Sequence, residues 1–185
     1  HRSGRPPILD DIIIPHLEKW AGPDPDRLSR LATAFATDSK EWIDEAVLER
    51  YELLYEAGLV LECARDRELT LPSIRLGDAM ASDHRRILAT AMSRLRSKIR
   101  YRPIVFELMN DEFTLSALQT TVEAVLGQPL HKQNFRRGLD RSGLVVATGR
   151  MRTQTGGRPA ALFRFAREDV QHGTAKILSI PVIKS

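Results

Sequence analysis

Cysteine, long apolar runs and clustered histidines are what this chain lacks, and each absence removes a class of function. A single cysteine, Cys63, rules out an intrachain disulfide framework and fits a reducing compartment. No stretch approaches the roughly 18 consecutive apolar residues of a membrane helix, and no charged-then-apolar leader opens the chain. No membrane partner is therefore expected, and the expected location is cytoplasmic. His1, His16, His84, His131 and His172 are scattered, and with one cysteine they offer no metal-ligand spacing. A Walker loop, a GxGxxG cradle and a serine nucleophile elbow are all missing, and Gly156-Gly157 falls between expected strands rather than before a helix. These gaps argue against an enzyme and call for no cofactor and no metal.

What is present is a charge asymmetry. Between residues 131 and 167 the chain carries Lys132, Arg136, Arg137, Arg141, Arg150, Arg152, Arg158, Arg164 and Arg167 against one acid, Asp140. The whole chain is only +4, so the remainder is net acidic. A basic window of this kind is the footprint of a nucleic-acid face, where cations replace counterions condensed on phosphates. The competing reading is a solvated basic surface. With 185 residues and 42% apolar content, the chain can build one large core or two small ones. It opens on His1-Arg2-Ser3-Gly4-Arg5 without a methionine, the opening expected of a fragment.

Periodicity predicts mostly helix. Residues 8–20 repeat apolar side chains at helical spacing, with Pro15 inside the run to kink or split it. Asp24 and Pro25 form an N-cap and N1 pair opening a helix to about Phe35. A third helix, near Asp44 to Ala57, places Val47, Leu48, Tyr51, Leu54 and Tyr55 on one face and stops at Gly58. Leu59 to Cys63 reads as a short strand, and Arg65 to Gly77 as a loop or linker. A weak echo between residues 53–62 and 138–147 leaves open a second winged helix in the N-terminal half.

Residues 82–100 give the strongest helix, with Leu88, Met92, Leu95 and Ile99 in a heptad-like seam. About two heptads is short for a coiled coil, so packing within one subunit ranks ahead of a dimer contact. Pro103 opens a further helix with Ile104, Val105 and Leu108 on its core side.

From Thr114 or Ser116 a helix runs to Leu126 on Leu118, Val122, Val125 and Leu126. Gly127 and Pro129 make the turn, and His131 to about Ser142 forms the next helix, burying Phe135 and Leu139. Residues 144–148 then alternate as a strand, 148–159 read as a loop rich in Gly and Arg, and 161–165 return as a strand. The tail holds a β-like stretch around Pro181, which favours an edge or an extended arm. Helix, turn, helix and hairpin in this order are the layout of a winged helix-turn-helix.

In that layout the second helix enters the major groove and basic side chains around it grip phosphate. Gln133 and Asn134 have the amide geometry to read adenine, while Arg136 and Arg137 suit guanine or phosphate, and Lys132 and Arg141 are left for solvent or DNA. Arg150, Arg152, Thr155, Gly156, Gly157 and Arg158 form the wing, the Gly pair permitting close backbone approach. No aromatic stacking platform is apparent, which places RNA behind double-stranded DNA as the partner. Glu41, Glu45, Glu49, Glu52 and Glu56 make an acidic helical face, read as hydrated or salt-bridged ahead of a metal site.

The stretch from Ser82 to Gly149, with 155–165 (TGGRPAALFRF), resembles the C-terminal part of the Nudix-related transcriptional regulators of NAD metabolism. The motifs are DH..IL, K.RY.P, FELM..EFTL, NFRR and GGRPA.LFRF. More loosely, GRPPILDD and VLERYELLYEAGLV are similar to the alphaproteobacterial type of that family. The resemblance implies a winged helix-turn-helix repressor that binds DNA as a homodimer upstream of NAD-biosynthesis genes, with a nucleotide effector sensed by a Nudix-like domain. It does not extend to catalysis. Against the Nudix glutamate motif the chain has Tyr51 and Tyr55 where an Arg and a Glu belong, and Thr37 and Ile43 where the Gly and upstream Glu belong.

The expected architecture is mostly α with a small β-hairpin wing: a winged helix-turn-helix preceded by a helical module. Residues 1–77 form the helical module, 78–100 a connecting helix, 101–167 the DNA-binding domain and 168–185 a tail. The expected function is a sequence-specific DNA-binding transcriptional regulator, a repressor of NAD-biosynthesis genes. A Nudix-type nucleotide hydrolase and a winged helix that binds protein are the alternatives.

Overall fold

The computed structural model describes residues 6–38, 41–68, 76–99, 103–153 and 159–166. The chain divides into two compact units, His1–Arg94 and Leu95–Ser185, with the boundary inside a helix.

In the first unit a π-helical turn, Leu9–Ile13, runs into helix α1, Ile14–Ala21. Pro15 sits in the first turn of α1, and the Ile14 N–H reaches back to Leu9 O. Proline cannot donate an amide bond and its ring crowds the carbonyl four residues earlier, so the wider turn falls just ahead of it. Helix α2, Pro25–Phe35, opens as expected: Asp24 accepts the Asp26 and Arg27 amides at 2.9 and 3.2 Å. Helix α3, Val47–Glu56, begins later than its apolar pattern suggests and buries Tyr51 and Leu53. Ile13, Ile14, Leu17, Leu31, Ala34, Phe35, Leu53 and Leu59 make the core of this unit.

The strand expected at Leu59 to Cys63 is not formed. Val60 is extended, and from Leu61 the chain turns into helix α4, Leu61–Asp66. The consecutive residues Glu62, Cys63 and Ala64 are all buried, which helical rotation beside a neighbouring helix permits and strand alternation would not. Short apolar runs do not distinguish the two states by periodicity. A helix here also removes the second winged helix that the echo left open. The acidic face of α3 is a salt-bridge face: Arg30 makes a fork to Glu56 at 2.8 and 2.9 Å and reaches Glu49 at 3.1 Å, and Glu52 takes Arg86 at 2.7 Å.

Helix α5, His84–Ile99, crosses the unit boundary. Its seam is graded, from Leu88 at 49% exposed to Ile99 at 1%. In the second unit the helix expected after Pro103 is a short 3-10 helix, Ile104–Leu108, which buries Val105 and Phe106 but leaves Leu108 exposed, against its expected core position. Helix α6, Leu115–Leu126, is capped by Thr114, whose hydroxyl accepts the Ala117 amide, and buries Leu118, Val122, Val125 and Leu126. Helix α7, Lys132–Ser142, follows a turn through Gly127, and Gly143 ends it at φ 67°.

Strands β1, Val145–Arg152, and β2, Ala160–Phe165, pair antiparallel, with Val145 opposite Phe165 and Arg152 opposite Ala160. Phe113 adds a third antiparallel rung, exchanging both backbone hydrogen bonds with Phe163 at 2.9 and 2.8 Å. Phe106 stacks on Phe165 with centroids 4.3 Å apart, over a core of Ile99, Val105, Leu118, Val122, Phe135, Leu139 and Leu144. Mostly helical, with one small hairpin, the architecture is the expected one. The loop read over 148–159 is corrected at its near end: Thr148 to Arg152 belong to β1. The β-like tail around Pro181 lies outside the described residues.

Candidate nucleic-acid interface

Helix α7 has one apolar side. Phe135, Leu139 and Ser142 are buried, and they recur at the spacing that puts them on a single stripe. Their burial turns Lys132, Gln133, Arg136, Arg137 and Arg141 outward, and all five are exposed. Asn134, which reads as equivalent to Gln133 in the sequence, is half-buried on the flank of the stripe. Among the described residues Lys132, Arg136, Arg137 and Arg141 have no ion-pair partner, so their positive field faces water uncompensated. The Ser142 hydroxyl donates to Leu139 O at 2.8 Å and accepts from the Leu144 amide, closing the helix end against the first strand.

The angle at which α7 is presented depends on the turn before it, and two residues the sequence reading passed over hold that turn. The Glu123 carboxylate accepts the Leu130 amide at 2.8 Å and Gln119 Nε2 at 2.9 Å, while the same Gln119 nitrogen donates to Leu130 O at 3.0 Å. These bonds, the Leu130 amide first, hold the Glu123 carboxyl below its ordinary range. Gly127 at φ 74° makes the turn, with the Arg96 guanidinium close by; Arg96 donates to Val125 O at 2.7 Å. The signal was present as a Gln and a Glu one helical turn apart on α6, facing a loop with a proline. Periodicity alone attaches no meaning to such a pair.

The wing residues do not share one environment. Arg152 is exposed near the end of β1, whereas Arg150 is ion-paired to Glu112, a partner 38 residues away that no local search of the sequence would find. Thr155, Gly156, Gly157 and Arg158 lie outside the described residues. A cleft of about 400 Å³ opens beside this pair, lined by residues that include Asn110, Glu112, Thr114, Arg152 and Thr153. No group of three or more His, Cys, Asp and Glu side chains among the described residues is placed to hold a metal, and no described helix is long and apolar enough to cross a membrane.

Two helices joined by a tight turn, followed by an antiparallel hairpin with a third rung at Phe113, define a winged helix-turn-helix. Residues 105–165 match the family described as the NrtR DNA-binding winged helix domain. The resemblance to the Nudix-related regulators therefore holds over this domain. The ADPR responsive transcriptional repressor NtrR of Acinetobacter baylyi (strain ATCC 33305 / BD413 / ADP1) is 39% identical over 102 residues, which are 55% of this chain and 40% of that protein. The chain thus spans about two fifths of the length of the curated relative it matches. Among solved structures, Shewanella oneidensis NrtR complexed with a 27mer DNA is 32% identical with a TM-score of 0.44, covering 52% of this chain and 43% of that one. Shewanella oneidensis NrtR is 33% identical with a TM-score of 0.42, covering 50% and 42%.

Proposed function

We propose that this chain is a transcriptional repressor that binds duplex DNA through α7 and the wing. The observation that carries the reading is the outward face of α7, where four cations and Gln133 are set on a helix anchored by Phe135 and Leu139. A helix of this shape fits the major groove; Gln133 and Arg137, one turn apart, suit base edges, and Lys132, Arg136 and Arg141 suit phosphates. Asn134 contributes from the flank. Arg152, with Thr155, Gly156, Gly157 and Arg158, completes the contact from the wing. The domain so employed is 101–167, preceded by the helical module 1–77 and the helix within 78–100, and followed by the tail 168–185.

The curated relative is a repressor described as ADPR responsive, which supports a nucleotide effector of ADP-ribose type. The targets are promoters of NAD-biosynthesis genes, bound by a homodimer. Tyr51 and Tyr55 in place of an arginine and a glutamate argue against hydrolysis of such a nucleotide by this chain, and the effector is sensed through a domain not evident in it.

Fluorescence anisotropy with duplexes from NAD-biosynthesis promoters and a scrambled control, titrated across a salt series with and without ADP-ribose, tests the reading. Tight, sequence-selective binding supports it. Weak binding to both duplexes that vanishes with salt would reject it and leave a winged helix whose partner is a protein.

A further inference from the structure

We propose that Glu112 is an intramolecular competitor for DNA, holding the Arg150 guanidinium in an ion pair that a backbone phosphate has to displace. The inference rests on the reading of this domain as a duplex-DNA binder and adds an acidic residue that limits its affinity.

The pair is produced by an irregularity in the hairpin. Ala147 lies opposite Phe163 and Met151 opposite Ala161, so Thr148, Gly149 and Arg150 face the single residue Leu162. The two extra residues are taken up locally. Gly149 adopts φ 75°, and the Thr148 hydroxyl donates to Leu162 O at 3.0 Å while accepting the Arg150 amide at 3.2 Å. A bulge of this kind re-aims a side chain out of strand alternation. Here it brings Arg150 to the carboxylate of Glu112.

The two partners are held unequally. Glu112 precedes Phe113, whose backbone is locked to Phe163 in both directions, and its side chain is 26% exposed; that of Arg150 is 71% exposed. The acid is the seated member and the arginine remains open to an incoming anion. An ion pair this exposed contributes little to stability, so the bulge and the Phe113 rung define the wing without it. Its consequence is electrostatic. While Glu112 neutralises Arg150, the described part of β1 offers Arg152 as its uncompensated cation. When a phosphate takes Arg150, Glu112 is left in a cleft that Arg152 also lines.

The test measures DNA affinity of the full chain across a salt series for wild type, Glu112→Gln, Arg150→Gln, the double variant and Asp111→Asn. The last removes a charge one residue away. Glu112→Gln is expected to bind about threefold to fivefold more tightly, the scale set by an exposed ion pair, with little change in salt slope, because Arg150 meets a phosphate in both complexes. In the Arg150→Gln background the same change should have no effect, and Asp111→Asn should not reproduce the gain.

Unchanged or weaker binding by Glu112→Gln overturns the proposal, as does a gain that persists without Arg150, which would mark a general charge effect. Should the Gln variant melt early, Glu112→Ser makes the same comparison. Wild type that binds no duplex rejects the functional reading and this inference together. Wild type that binds, and loses affinity with Arg137→Ala while ignoring Glu112→Gln, rejects the inference alone.

Discussion

In the first unit Arg27, Arg30, Arg65, Arg85 and Arg86 each lie on a carboxylate, whereas on α7 of the second unit Arg136, Arg137 and Arg141 lie on none among the described residues. Both regions are arginine-rich, so composition does not separate them. Most pairs in the first unit are well exposed to solvent, and such pairs contribute about 0–1 kcal/mol each. Their main effect is to cancel charge at the surface. The α7 cations are left uncancelled, and an uncompensated field is what attracts an external polyanion. The wing stands between these cases, with Arg150 paired and Arg152 without a carboxylate partner among the described residues.

The sharpest way to break this comparison is at its one buried pair. Glu62 is 1% exposed; Arg85 Nε and the Met80 amide bond one of its oxygens at 2.8 and 2.9 Å, while the other has no hydrogen-bond partner among the described residues. Glu62→Ala should cost about 3 kcal/mol, because it strands Arg85 and leaves a cavity. Chemical denaturation should report that loss. A cost under about 1 kcal/mol would mean that the pair behaves as a surface pair.

On α7 the expectation reverses. Arg137→Ala should leave the melting temperature in place yet weaken DNA binding by about 1–3 kcal/mol if it reads a base, and Arg136→Ala should flatten the salt slope by about one unit if it meets phosphate. Unaltered affinity in both would remove α7 from the interface.

Gly127→Ala should cost roughly 1 kcal/mol or more, since φ 74° strains any side chain. The nearby Arg96 guanidinium is the tip of a flexible side chain and can withdraw, so backbone strain is the dominant cost. DNA affinity should fall with it if the turn sets the angle of α7, and an affinity that survives the loss of stability would uncouple the two.

The smallest effect concerns pH. The carboxyls of Glu56, beside Arg30, and of Glu123, on the Leu130 amide, are held below their ordinary range in the folded chain. A depressed folded pKa gives stability that is complete above the unfolded value, roughly 4.3 for glutamate, and is lost as pH falls through the folded value. Melting temperature should therefore be level near neutrality and decline below about pH 4.5, with Glu123→Gln reducing the acid dependence. A decline that begins near pH 6 would point instead to histidine.

Much of the second unit was legible in the sequence because its helices alternate strongly and are punctuated. Thr114, Gly127 and Gly143 mark ends, and Phe135 with Leu139 marks a buried stripe, all through interactions within a few residues. Leu59 to Cys63 was misread because the same apolar run suits either state until a neighbouring helix supplies a partner for Glu62. Leu108 was misplaced because a five-residue 3-10 helix rotates its residues differently from the α-helix expected there. Arg150 looked equivalent to Arg152 because nothing near it in the chain is acidic.

By itself the sequence determined the order of helix, turn, helix and hairpin and the basic character of residues 131–167, since both depend on local periodicity and on composition. Tertiary structure alone decided which cations are spent on carboxylates, which of two adjacent amides faces outward, and that Glu123 ties the turn to Leu130. Those outcomes depend on distances between residues remote in the chain, and only the packed core sets them.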